Sequence, residues 1–149
     1  MSEIHPGAGG QRNVPPAPQP GVVLIAEDEA PIAEMVALVV EGAGYRPLVV
    51  GHGDQAREMV RRQRPVLVIT DLMMPHMDGA ELISAVRADA VANGHAPPPI
   101  ILMTAAGWRR AQTAGADIIL RKPFEVSELE ALLHRVLGPS PKRPGMPGQ

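Results

Sequence analysis

A chain of 149 residues with 45% hydrophobic content and a formal net charge of −2 has the size and apolar surface for one domain with a single core, and two globular domains would be cramped. Near-balanced charge gives no broad basic field to hold a phosphate backbone, so nucleic acid is not an implied partner. The absence of cysteine removes disulfides, thiol catalysis and thiolate metal sites.

Aromatic residues make up only 2% of the chain, which leaves Val, Leu, Ile, Ala and eight Met to fill the core. Residues 1–20 are rich in Pro, Gly and Gln, with a PxxP match at Pro15 and Pro18 that reads as linker. They offer too little apolar surface to offset the entropy of ordering, so a flexible tail is expected there. The same composition at 139–149 predicts a second tail, leaving one domain over 21–138. No apolar run approaches membrane-spanning length and the first residues lack the apolar core of a signal peptide, so a cytoplasmic protein with no membrane partner is expected.

Val22-Val23-Leu24-Ile25-Ala26 reads as a first strand, closed by Glu27-Asp28-Glu29. A helix should begin at Pro31, whose fixed φ and missing N–H suit a first helical position. Its Ile32, Met35, Val36, Val39 and Val40 keep the spacing of one buried face. Gly42 and Gly44 end it. Tyr45 to Val50 is a second strand, which Pro47 assigns to a sheet edge because proline cannot donate to a neighbour. Asp54 is placed to cap helix 2, with Ala56, Met59 and Val60 inward and Arg57, Arg61 and Arg62 on a solvated face.

Val66-Leu67-Val68-Ile69 then runs unbroken into Thr70 and Asp71. A strand with no polar alternation is one buried on both faces, as in a covered parallel sheet. Asp71 thus stands at the carboxyl end of a central strand, where open α/β sheets leave a ligand crevice. An acid that merely starts the next turn is the equal alternative on this residue alone. Pro75-His76-Met77-Asp78-Gly79 forms that turn, and Leu82, Ile83 and Val86 mark helix 3. After three prolines, Ile100-Ile101-Leu102-Met103 is a fourth strand ending at Thr104. Trp108 to Ala114 allows only a short helix, and Asp117 to Leu120 is a fifth strand followed by Arg121-Lys122-Pro123-Phe124. Ser127 with Glu130 reads as a capping box opening helix 5, whose Leu129, Leu132, Leu133 and Val136 face inward. Strands alternating with helices imply right-handed βαβ units and a doubly wound three-layer sandwich.

On such a sheet Glu27, Asp28, Asp71, Thr104 and Lys122 converge at the strand tips. Clustered carboxylates without His or Cys suit a hard, oxygen-liking divalent cation, Mg²⁺ above all. His5, His52, His76, His95 and His134 lack metal-ligand spacing and read as surface residues.

From about Val22 to Leu137 the chain resembles a two-component response-regulator receiver domain. The likeness rests on the ordered set Glu27-Asp28, Asp71 with Pro75 and Gly79, Thr104-Ala105, and Lys122-Pro123-Phe124. It implies a flavodoxin-like parallel sheet in the order 2-1-3-4-5. It also implies that Asp71 accepts a phosphoryl group from a histidine kinase, a histidine phosphotransfer protein or a small phosphodonor. Asp28, Asp71 and the Met73 carbonyl would ligate Mg²⁺, with Glu27 acting through a water. Lys122 would neutralise phosphoryl oxygens and the Thr104 hydroxyl would bond to one after transfer. A cis Lys122-Pro123 bond is implied too, and Ile32, Met35 and Pro123 would be kinase-docking candidates. No catalysis is expected beyond self-phosphorylation and autodephosphorylation.

The chain departs from the family at two places. Ile119 occupies the position of the usual aromatic switch residue, and the Thr104-to-Lys122 interval is short by about one helical turn, a deficit that falls on helix 4. Trp108, in that segment, reads as partner anchor or as core filler, with filler the nearer reading. Met73 and Ala106, two after the acceptor and two after the threonine, cannot hydrogen-bond an attacking water, which predicts slow dephosphorylation. The leading expectation is a stand-alone receiver acting on a downstream protein, without a fused output domain. A phosphate-independent docking module is the alternative. A haloacid-dehalogenase-like phosphatase would need an acid where Met73 stands, and a flavodoxin's flavin phosphate would be repelled by Glu27-Asp28-Glu29.

Overall fold

The computed structural model describes residues 20–139. Nearly all of the two expected tails, including the PxxP match, lies outside the described residues. Five strands and five helices alternate: β1 (Val22–Ala26), α1 (Ala30–Gly42), β2 (Arg46–Val50), α2 (Gly53–Gln63), β3 (Leu67–Asp71), α3 (Gly79–Ala92), β4 (Ile100–Thr104), α4 (Trp108–Thr113), β5 (Ile118–Arg121) and α5 (Val126–Leu137). All strand pairs are parallel and the sheet order is β2-β1-β3-β4-β5. Pro47 lies in the edge strand β2, as its missing donor requires.

The apolar runs explain why β3 and β4 are central. Every residue of both is buried, and alternate residues serve opposite layers. Leu24, Val68, Ile100 and Leu102 pack with Ala56 and Val60 of α2, Leu82, Ile83 and Val86 of α3 and Ala111 of α4. Val23, Ile25, Leu67, Ile69, Ile101 and Met103 pack with Val36, Val39 and Val40 of α1 and Leu129 and Leu133 of α5. Each of the larger side chains so buried stabilises the sandwich by about 1.5–3 kcal/mol. The register pairs Ala26 with Thr70, Asp71 with Met103, and Thr104 with Arg121. The carboxyl ends of β1, β3, β4 and β5 are therefore level, and whatever follows them shares one rim.

Several local expectations need correction. Asp54 does not cap α2. The N-cap is His52 and Gly53 is already helical, because Gly53 lies against the backbone of Met77 where any side chain would collide. Helix α5 starts two residues before the expected capping box: Glu128 accepts from the Glu125 N–H at 2.7 Å, and Ser127 and Glu130 stand exposed. A capping box does occur at α3, where Asp78 and Glu81 exchange bonds of 2.9 Å. The buried face of α1 runs through Ala33 as well as Val36, Val39 and Val40, leaving Ile32 and Met35 half-buried at its margin. Trp108 is no core filler: it is 38% exposed and the Arg121 guanidinium lies 3.9 Å from its ring centroid. A cation held over the indole face compensates for the exposed ring. Helix α4 is as short as the sequence implies.

Candidate functional site

Asp71 is fixed by its backbone before its side chain does anything. The Leu72 N–H donates to the Met103 carbonyl at 2.9 Å, the Gly79 N–H to the Leu72 carbonyl at 2.8 Å, and the Thr70 hydroxyl to the Asp71 carbonyl at 2.9 Å. Gly79 is required there because a Cβ would run into the Asp71 carbonyl oxygen and come within 3.0 Å of the Leu72 Cα. The Asp71 residue is 7% exposed. Burial pushes its carboxyl above the ordinary aspartate range. The Asp28 charge adds to that rise, and Lys122 opposes it.

Glu27 follows β1, tied by its N–H to the Val50 carbonyl at 3.0 Å. Its side chain is fully buried, with Oε1 accepting from Lys122 Nζ at 2.8 Å and Oε2 accepting from the Glu29 N–H at 3.1 Å. Burial is the main reason its carboxyl lies above the usual glutamate value, with Lys122 and the Glu29 amide pulling the other way. Both of its oxygens already have partners, which suits a role through water better than direct ligation.

Lys122 is placed by its N–H donating to the Thr104 carbonyl at 2.8 Å, and the Lys122-Pro123 bond is cis. Its ammonium spans the two acids, 2.8 Å from Glu27 and 3.2 Å from Asp71 Oδ1. Burial works against that charge, but the Glu27 and Asp71 carboxylates outweigh it and hold the lysine above its ordinary pKa. Asp28 is exposed, and each of Glu27, Asp28 and Asp71 offers an oxygen within 4.8 Å of the others. Among the described residues this is the one group of three or more such ligands. Three acids against one lysine leave the rim short of positive charge, and an all-oxygen donor set fits a hard divalent cation.

Met73, Ile32, Met35 and Pro123 line one cleft of about 520 Å³ with Asp28, Asp71 and Lys122. Ile32, Met35, Pro123 and Met73 thus border the acids, and Phe124, Ala105 and Ala106 complete the wall. Thr104 is 3% exposed, and its hydroxyl donates to the Ala106 carbonyl, closing its own loop. It opens on a smaller neighbouring cavity of about 200 Å³ with Trp108, Arg121 and Lys122. Ile119 is apart from this: it is half-buried against the core layer that contains Ala111.

Two features of the rim escaped the sequence reading. Arg121, next to the lysine, is the residue stacked on Trp108. Arg110 of α4 makes two bonds to the Asp78 carboxylate, at 2.7 and 3.0 Å, and ties the short helix to the loop that follows Asp71. An acid at a cap followed by an arginine on the next helix has no sequence period to reveal it.

The profile of the response regulator receiver domain matches residues 23–134. The chain is 37% identical over 117 residues to the DNA-binding response regulator MtrA of Mycobacterium tuberculosis, covering 73% of this chain and 47% of that protein. It is 37% identical over 119 residues to the phosphate regulon transcriptional regulatory protein PhoB of Pseudomonas aeruginosa, covering 77% and 51%. The chain spans about half the length of these curated relatives. Among solved structures it is similar to the chemotaxis response regulator CheY4 of Vibrio cholerae, with a TM-score of 0.69, 29% identity, and coverage of 79% and 99%. It is also similar to the receiver domain of a sensor histidine kinase from Pseudomonas aeruginosa, which holds a magnesium ion coordinated in its active-site cleft. There the TM-score is 0.71 with 30% identity, covering 80% of this chain and 98% of that one.

Proposed function

The chain belongs to the response regulator receiver family, and from that premise we propose that it is a phosphorylation-dependent switch in which Asp71 takes a phosphoryl group from a histidine kinase or a histidine phosphotransfer protein. The observation that carries this reading is the Lys122 ammonium shared between Glu27 and Asp71 at the mouth of an apolar-walled cleft. In transfer, an Asp71 carboxylate oxygen forms the new bond to phosphorus as the phosphorus–nitrogen bond of the donor breaks, and the leaving imidazole picks up a proton. Such a loose transition state asks mainly for alignment and charge neutralisation.

Asp28, Asp71 and the Met73 carbonyl would hold Mg²⁺ and Glu27 would reach it through water; the bound ion supplies charge neutralisation for the phosphoryl oxygens. Lys122, already within 3.2 Å of Asp71, would supply a second positive charge. Thr104 would have to leave the Ala106 carbonyl to meet a phosphoryl oxygen, and that release carries the signal into the loop before α4. Ile32, Met35 and Pro123 form the apolar footing for the donor protein. The output is protein–protein contact, and no turnover of a separate substrate is expected. The near-balanced charge of this chain supplies no broad basic field, while MtrA, the longer relative, is named as DNA-binding. No described helix is long and apolar enough to cross a membrane.

Incubation with acetyl phosphate and Mg²⁺ followed by intact-mass measurement tests the proposal. The wild type should gain one phosphoryl group, and Asp71→Asn or removal of Mg²⁺ should abolish the gain. An unmodified wild type under these conditions would favour the docking-module alternative.

A further inference from the structure

Among the described residues the methionines divide by burial. Met59, Met74 and Met77 pack on one core layer, and Met35 and Met103 belong to the other. Met73 belongs to neither. It is 60% exposed, and it lines the cleft of about 520 Å³ together with Asp71 and Lys122. A long apolar side chain left in water two residues after the acceptor adds little to the core, so packing does not account for it. The chain has no cysteine. With no thiol to compete, an exposed thioether is the softest side chain that a peroxide meets.

We propose that Met73 is a redox-modification site through which hydrogen peroxide shortens the life of the phosphoryl group on Asp71. The sulfur lone pair attacks one peroxide oxygen and the O–O bond breaks. The departing hydroxide takes the proton left on the transferred oxygen, so the products are methionine sulfoxide and water. Sulfur loses two electrons and the peroxide gains them. A thioether is a weak acceptor, whereas a sulfoxide oxygen is polar and accepts a hydrogen bond from water. On the wall that Met73 shares with Asp71, that oxygen gives an attacking water the partner that the thioether and Ala106 cannot supply. The water then bonds to phosphorus as the bond to the Asp71 oxygen breaks, releasing the carboxylate and inorganic phosphate. Exposure spares the fold, because Met73 fills no space in either core layer. The lifetime effect rests on Asp71 carrying an acyl phosphate; the selectivity of oxidation does not.

Limited treatment of the full chain with hydrogen peroxide, followed by peptide mass spectrometry, tests the site. Met73 should gain an oxygen before Met35, Met59, Met74, Met77 or Met103. After the peroxide is removed, the protein is phosphorylated with acetyl phosphate and Mg²⁺, and the decay of the phosphorylated mass is followed once the donor is gone. The oxidised wild type should decay about three- to tenfold faster than the untreated protein, the worth of one added hydrogen bond in the transition state. Methionine sulfoxide reductase should restore the slow decay. Met73→Leu should decay at one rate before and after peroxide, while Met35→Leu should keep the acceleration. Oxidation spread evenly over the methionines, a Met73→Leu protein that responds like the wild type, or an oxidised wild type with unaltered decay would each overturn the proposal. A protein that takes no phosphoryl group before treatment would overturn the Asp71 reading and the lifetime effect with it, and the oxidation map alone would then decide the site.

Discussion

Replacing Gly79 by alanine places one methyl group at the most crowded point behind the acceptor. The new Cβ would meet the Asp71 carbonyl oxygen, the Leu72 Cα at 3.0 Å and Leu102 Cδ1 at 3.0 Å. The leucine methyl can rotate away; the two backbone atoms cannot move without shifting the end of β3. Forcing a methyl into packed backbone costs about 1–3 kcal/mol, offset by up to roughly 1 kcal/mol from alanine's smaller entropy loss in a helix. A net loss of about 1–2 kcal/mol lowers the thermal midpoint by roughly 3–8 °C for a domain of this size. That leaves the protein folded at room temperature, since domains commonly hold about 5–15 kcal/mol in reserve.

Function should suffer more than stability. Displacing a reacting group by about an ångström can cost on the order of a hundredfold in rate, so phosphorylation by acetyl phosphate should slow by about tenfold or more in a fully folded variant. Gly42→Ala is the control, because nothing lies within 4 Å of a Cβ built there. Thermal denaturation by circular dichroism and a time course of intact mass give both readouts. A Gly79→Ala protein with the wild-type midpoint and rate would refute the reasoning.

Other consequences are as direct. Glu27 and Asp71 have folded-state pKa values above their ordinary ones, so their protonation favours the folded state. That contribution is complete below the ordinary carboxylate pKa and is lost as pH rises through the raised values. In EDTA, Asp71→Asn should therefore match the wild type in acid and become the more stable protein as pH approaches neutrality. Thermal midpoints across pH show this, and a variant less stable at neutral pH would contradict it. Asp78→Ala removes both the α3 cap and the Arg110 pair. Loss of the cap alone should cost about 1 kcal/mol, and amide exchange should quicken in α4 more than in α5. With Met73 and Ala106 lining the cleft and unable to orient water, the acyl phosphate should persist for minutes or longer after donor removal. Decay within seconds in a mass-spectrometric chase would oppose that.

Much of the architecture could be read from residue order alone, for a physical reason. A parallel strand covered on both faces must be apolar throughout, so Val22 to Ala26, Leu67 to Ile69 and Ile100 to Met103 announced themselves. The tips of such strands are where polar residues collect, which is why Glu27, Asp28, Asp71, Thr104 and Lys122 stood out and are found on one rim. Helix starts were less legible. Asp54 and Ser127 have good capping chemistry but lost the position to His52 and Glu125, where Gly53 packs on Met77 and where Glu128 accepts from the Glu125 N–H. The Trp108–Arg121 stack links α4 to β5 and the Arg110–Asp78 pair links α4 to the start of α3, and no local pattern encodes either. The buried pairing of Glu27 with Lys122 is equally hidden from local pattern. Only the level register of β1, β3, β4 and β5 brings those residues within reach.

The most direct test of the whole account locates the phosphoryl group. Borohydride reduction of the phosphorylated protein converts an aspartyl phosphate to homoserine, which peptide mass spectrometry can assign to one position. Homoserine at residue 71 and at no other acid is the predicted result. Homoserine at Asp28 or Asp78, or none in a protein that carries phosphate elsewhere, would contradict the assignment of Asp71 as the acceptor.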